Sequence, residues 1–399
     1  MERPERKFEY YPWLLGLLVL ISRVLTAGPL YWADGPAHML AIQTRRFVIH
    51  PPGYWLFNQA GGLFSNPEKG ISFMNWAFSA AGVVVFYYVA RLLVSKRTAE
   101  LGCILYAVVF YVWFSGDVHS TYASQLLFPI LVFLFLILHL REPRTVYLLG
   151  AAAAFAIGAG FRPSDGAFLG PMFVYYLARY ASGRQAAIAF LVAILLCLGW
   201  VVPTVLAYHT AGGAGYFTGY VANITTTVSP LRDRNTYRSM ANIARFLAPL
   251  GTALWLLAYP VLKSLGRLRE RPVRLLWLWI APGACFLTLI YMADAPYLNF
   301  LTAAALLLAM IAIDMGGVRW GHLLLGCCLV WNAAFYLAFR PLPGNSLPVN
   351  VLNIYSGKYT WYGVKNQWQP NLSDVCNPAF LKGTTETQRH GETSPAPSP

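Results

Sequence analysis

Four carboxylates, Asp34, Asp117, Asp165 and Asp294, stand at the ends of long apolar runs, apart from most of the sixteen acidic residues of the chain. A charge at membrane depth costs about 2.5–3.5 kcal/mol on insertion scales, so such residues usually face a protein cavity with a purpose. For Asp165 and Asp294 a plain helix end in interfacial water accounts for the residue equally well. Asp34 and Asp117 have more informative surroundings. Asp34 opens the stretch YWADGPAHMLAIQTRRFVIHPPGYWLF, which also carries His38, the pair Arg45-Arg46 and His50 before Pro51-Pro52. An acid, a histidine and two arginines beside an apolar run suit a lipid phosphate: the cations hold the phosphate and the acid acts on an incoming group. Arg45 and Arg46 equally suit snorkelling to lipid headgroups. Asp117 lies in SGDVHST, two residues before His119. If the first and third apolar runs are neighbours, Asp34 and Asp117 form an acidic pair. Such a pair either binds a divalent metal or keeps one carboxyl as a proton-accepting base. His38 and His119 have no metal-ligand spacing and read more simply as hydrogen-bonding interface residues.

The elements that must position these residues are set by composition. Of 399 residues, 57% are hydrophobic and 12% charged, with a mean hydropathy of +0.49. Soluble domains carry about 25% charged residues. The runs are long and lack strict alternation, so in lipid they are helices rather than barrel strands. About eleven crossings are expected, near 11–29, 71–94, 99–116, 125–140, 145–161, 166–181, 186–207, 244–263, 273–292, 298–315 and 322–339. The fifth and sixth are at or just under spanning length, which leaves open a re-entrant pair around Arg162-Pro163-Ser164-Asp165. AHMLAIQTRRFVI and GYWLFNQAGGLF read as two interfacial helices in the first outer loop.

The net charge of +14 comes from alternate short loops rich in Lys and Arg, which the positive-inside rule assigns to the cytoplasm. The N-terminus is then cytoplasmic and the C-terminus extracytoplasmic. No basic stretch is interleaved with base-stacking aromatics, so nucleic acid is not an expected partner. The charged start MERPERK precedes no small-residue cleavage site and reads as the head of a retained helix. The six cysteines have no metal-ligand or redox spacing. The expected organisation is a transmembrane module over 1–340 with its first outer loop at 30–70. An aromatic extracytoplasmic tail, 341–382, packs on it, and a polar, disordered end follows at 383–399.

An acid just after the first span, a Pro-Pro before the second and an acid at the outer end of the third resemble the GT-C glycosyltransferases. The branch most similar is the protein-mannosyltransferase and aminoarabinose-transferase type, glycosyltransferase family 39. Asp34 matches the first-loop acid of that family, His50-Pro51-Pro52 its Lys/His-Pro-Pro, and Asp117 its second acid. GAGFRPSDGAFLGP is similar to a further segment in which Arg162 stands where Lys is common. The resemblance covers roughly residues 10–180. Asp34 is followed by Gly35 where the family often has a second acid, which points to a single base.

The resemblance implies an all-α GT-C bundle in the plasma (bacterial inner) membrane. It also implies transfer of a sugar from a polyprenyl-phosphate donor to a lipid, glycan or protein acceptor at the extracytoplasmic face, by one inverting displacement. Asp34 would be the base. Arg45, Arg46, His50 and Arg162, with Arg23 behind them, would stabilise the leaving phosphate, and a divalent cation (Mg or Mn) at Asp117 would be compatible with that role. Two other classes stay open. A transporter or flippase would place polar residues near the midplane, whereas here they collect at one face. A lipid-linked glycan ligase or polymerase would use a late outer loop such as 208–243, with Arg232, Asp233, Arg234 and Arg238.

Overall fold

The computed structural model describes residues 9–26, 34–44, 53–117, 119–210, 236–290, 295–315, 317–318 and 320–339. The fold is all-α, and each expected span coincides with helix. The first, α1 (Tyr10–Leu25), is shorter than its apolar run. Two helices of the first loop follow, α2 (Asp34–Thr44) and α3 (Trp55–Gly61). Next is α4 (Pro67–Leu93), started by Asn66, whose side chain accepts from the Lys69 amide, and by Pro67, which has no N–H to leave unpaired.

The third span is one apolar run in the sequence but two helices in the structure, α5 (Lys96–Val108) and α6 (Phe110–Asp117), bent by 55°. Neither Pro nor Gly marks the break at Val109, so no local signal announces it. A 3-10 turn, Thr121–Leu126, leads into α7 (Phe128–Arg141). The fifth and sixth runs are separate helices packed on each other, α8 (Thr145–Phe161) and α9 (Pro163–Tyr180), joined at the extended Arg162. Then come α10 (Gly183–Thr210) and α11 (Thr236–Leu254), the latter continuing through 3-10 and helical turns, including α12 (Ala258–Lys263), to Arg267. The last three are α13 (Arg271–Leu289), α14 (Asn299–Met315) and α15 (Gly321–Phe339).

Among the described residues seven helical stretches are long and apolar enough to cross a membrane, or eight with the bent α5–α6 pair; α1 and α8 are shorter apolar helices. Of the apolar window within Pro296–Met315, 89% is buried, at the centre of the bundle, whereas only 11% of that within Gly183–His209 is buried, at its edge. The tail from 340 onward lies outside the described residues.

The two ends of the bundle differ in chemistry. At one end Arg91 pairs with Glu9 at 3.7 Å, Arg141 donates to the Leu92 carbonyl and Arg274 donates to the Tyr175 hydroxyl at 3.0 Å. There Asp314 accepts from the Ser95 amide at 2.8 Å and the Thr98 hydroxyl at 2.7 Å, tying α5 to α14. These are the turns that carry the Lys and Arg excess. The other end gathers Arg23, Asp117, Arg162 and Asp165 with the first-loop helices. Alternating helix direction thus sorts the arginine-rich turns from Asp117 and Asp165.

Candidate active site

Asp117 is the last residue of α6 and is 4% exposed. Its Oδ1 accepts from Thr26 Oγ1 at 2.9 Å and faces Arg23 Nε at 4.0 Å, and its Oδ2 accepts from the Tyr336 hydroxyl of α15. Arg23, 1% exposed, lies on α1; its Nη2 donates to the Ala107 carbonyl at 2.7 Å, and its guanidinium sits 4.8 Å from the centre of the Trp113 ring. Trp113 stacks on Tyr336 with centroids 4.4 Å apart and 11° between planes, and its indole N–H donates to Thr26 at 3.3 Å. First, third and last spans therefore meet on one carboxylate. The approach depends on Gly116: a Cβ there would lie 2.8 Å from Arg23 Nε and would overlap Ser79 Oγ.

A buried carboxylate is tolerated only when paired and hydrogen-bonded. Here a guanidinium and two hydroxyls meet that need. The same arrangement bears on the expected divalent ion. Among the described residues no three His, Cys, Asp or Glu side chains converge, and beside Asp117 the cationic position is taken by Arg23. On the described side of Asp117, then, the group that balances its charge is a guanidinium.

The second cluster surrounds Arg162, 2% exposed. Its Nη1 donates to Thr121 Oγ1 at 2.6 Å, and its Nε lies 3.9 Å from Asp165 Oδ1. Tyr122, Tyr297 and Tyr54 enclose the guanidinium at 4.1, 5.0 and 5.7 Å from their ring centres, a cation–π cage. Asp165, 1% exposed, accepts from Gln125 Nε2 at 2.6 Å. Asp165 is thus a buried partner of Arg162 and not a helix end in water.

First-loop residues cover this end. His38 Nδ1 lies 2.9 Å from Asn58 Oδ1, Asn58 Nδ2 donates to the Gly53 carbonyl at 3.1 Å, and the His38 ring meets Tyr54 and Phe57 edge-on. Gly53 has φ +111° and Tyr54 φ +40°. A bulky residue held in the left-handed region is strained, and such strain persists where surroundings over-determine it. Here those surroundings are the His38 ring and the Arg162 cation. His119 Nε2 lies 2.6 Å from Ser72 Oγ on α4. His38 and His119 each therefore make a side-chain hydrogen bond to a neighbouring element. A small core of Met39, Ile42, Tyr54, Phe57, Ile71 and Met74 fastens α2 and α3 to α4.

Asp34 is the first residue of α2, but the placement of its side chain, and Arg45, Arg46, His50 and Asp294, lie outside the described residues. The acidic pair Asp34–Asp117 is therefore seen only on its Asp117 side. Sequence reasoning did not find Thr26, Trp113, Gln125, Tyr297 or Tyr336.

Residues 49–207 match the family model described as dolichyl-phosphate-mannose-protein mannosyltransferase. No curated protein sequence matches the chain significantly. Among solved structures, ArnT from Cupriavidus metallidurans bound to undecaprenyl phosphate superposes with a TM-score of 0.61 at 15% identity, over 86% of this chain and 68% of that one. The apo state of the same ArnT gives 0.58 at 14% identity, over 84% and 66%. At such identities the likeness is one of fold, and the chain spans about two thirds of the length of ArnT, 68% and 66% in the two comparisons. The protein is an all-α, multi-pass membrane protein with an ArnT-like fold, in which residues 49–207 match the protein-mannosyltransferase family model.

Proposed function

We propose that this protein is a membrane glycosyltransferase that moves a sugar from a polyprenyl-phosphate donor to a lipid, glycan or protein acceptor at the extracytoplasmic face, by a single inverting displacement. The observation that carries this reading is the buried Asp117–Arg23–Thr26–Tyr336 constellation, at the same end of the bundle as Arg162 and the helix that Asp34 begins. The family match over 49–207 and the ArnT-like fold, in a relative that binds undecaprenyl phosphate, support it.

In this reading Asp34 removes the acceptor proton as general base, a role worth about 10²–10⁴ in rate. Asp117, fixed by Arg23, Thr26 and Tyr336, presents a rigid carboxylate edge beside it. His50, Arg45, Arg46 and Arg162 supply positive charge as the sugar–phosphate bond breaks and the lipid phosphate leaves as an anion. Arg162 acts from inside its tyrosine cage, where the low dielectric extends its field. In this scheme the chain crosses the inner membrane about eleven times, with the basic turns cytoplasmic, the active site and C-terminus outside, and the aromatic tail 341–382 packing on the transmembrane module. Asp34 and Asp117 are separate acids in this scheme.

The test is transfer itself. The purified chain in proteoliposomes, given undecaprenyl phosphates bearing different radiolabelled sugars and a lipid or peptide acceptor, is expected to form a glycosylated product and free lipid phosphate. Movement of intact donor between leaflets with no glycosidic bond cleaved would replace this reading with the transporter one.

A further inference from the structure

A membrane interior offers no water to backbone groups released where a helix breaks, so each break needs a protein partner. Among the described residues the third span is bent at Val109, between α5 and α6, and α11 gives way to a 3-10 turn at Leu254. A single side chain on α15 serves both. Asn332, fully buried, accepts the Phe110 amide on Oδ1 at 3.3 Å and donates Nδ2 to the Ala253 carbonyl at 2.7 Å and to its own Cys328 carbonyl at 2.8 Å. Phe110 begins the short helix that Asp117 ends, and Tyr336, one turn along α15 from Asn332, meets Asp117 at that far end. Phe335 of α15 packs on Phe110 at 4.7 Å between centroids. On the other side of the break Arg23 takes the Ala107 carbonyl.

We infer that Asn332 is a positioning residue: it holds the break at Val109 in one geometry, so that α6 presents Asp117 to the site at a fixed depth and angle. This rests on the glycosyltransferase reading for its catalytic consequence, though not for its structural one. Trp331 provides the contrast. Its indole N–H donates to the Thr252 carbonyl at 2.7 Å, so it binds the same broken α11 and has no hydrogen bond to α6. A residue that merely glues α15 to α11 should behave as Trp331 does.

The experiment compares wild type, Asn332→Leu and Trp331→Phe, full-length in nanodiscs, by hydrogen exchange and by transfer kinetics. Asn332→Leu is expected to raise amide exchange over 110–117 at least tenfold and to lower kcat about tenfold, with KM for the polyprenyl-phosphate donor changed less than twofold. Trp331→Phe is expected to leave both the 110–117 exchange and kcat near wild type. Equal effects of the two substitutions, or unchanged exchange over 110–117 in Asn332→Leu, would overturn the inference. If the Leu variant fails to insert, Asn332→Ser removes the amide without adding apolar bulk and carries the same expectation. Altered exchange with no transfer by wild type would retain Asn332 as the clamp of α6 and remove the transferase reading.

Discussion

Arg23→Met is the substitution on which the charge arrangement at Asp117 can be tested most directly. Arg23 Nε and Asp117 Oδ1 are 4.0 Å apart with both side chains 1% exposed. At an effective dielectric of about 20 that separation corresponds to roughly 4 kcal/mol of attraction. Desolvation offsets much of it in the intact pair, but removing one member leaves the other buried without its countercharge, which costs about 3–5 kcal/mol. Methionine keeps the apolar length of the side chain and much of its packing on Trp113, while the Ala107 carbonyl loses its donor. Thr26 and Tyr336 still donate to Asp117, so the low end of that range, about 3 kcal/mol, is expected. Asp117→Asn in the Arg23→Met background removes the stranded charge and should recover about 2 kcal/mol. The assay is reversible unfolding in mixed micelles of SDS and non-ionic detergent, run as a double-mutant cycle over the four proteins. Costs that add to within about 0.5 kcal/mol would mean that the two charges do not interact, and the reasoning would fail.

Other expectations concern activity and packing. Asp34→Asn should insert normally and bind the polyprenyl-phosphate sugar, yet lose transfer by about 10²–10⁴, read by radiolabelled product; a near wild-type rate would remove the base assignment. Tyr336→Phe removes one donor to a carboxylate, worth about 1.5–3 kcal/mol, and should slow transfer by roughly tenfold or more with little change in donor KM. Because Arg23 holds the cationic position beside Asp117, transfer should survive chelation by EDTA; loss on chelation with recovery on added magnesium would show that the site holds a divalent ion. Gly82→Ala would drive a Cβ into the Leu126 carbonyl and push α4 from the 121–126 turn, so a loss of several degrees in detergent melting temperature is expected. A cysteine introduced near position 390 should react with an impermeant maleimide from outside; reaction only after permeabilisation would invert the topology.

The positions of the helices were readable because a span is a local property: about twenty apolar residues declare it wherever they occur. The polar end was readable for a related reason, since Asp117, Arg162 and Asp165 are charges that apolar neighbours make conspicuous. What surrounds Asp117 was not readable. Tyr336 reaches it from 219 residues away, and no spacing within one chain says that the first, third and last spans touch. The bend at Val109 was equally silent, because its cause lies in Asn332 and Arg23 on other helices and not in a proline or glycine of its own. Asp165 was as easily read as a surface helix end until Gln125 and the tyrosine cage appeared around its neighbour.

Among the described candidate spans the most enclosed, α14, is also among the last to leave the ribosome. Of its apolar window within Pro296–Met315, 89% is buried, and its Asn299 and Thr302 meet Ser115 and Tyr111, which were synthesised long before. Until α14 arrives the earlier spans lack the helix that fills their centre, and lipid or a translocation chaperone is expected to stand in for it. A truncation that stops translation at about residue 290 is therefore expected to capture an open assembly, bound by quality-control proteases. The order of synthesis thus has α14 fill the centre before α15 seals the bundle over Asp117.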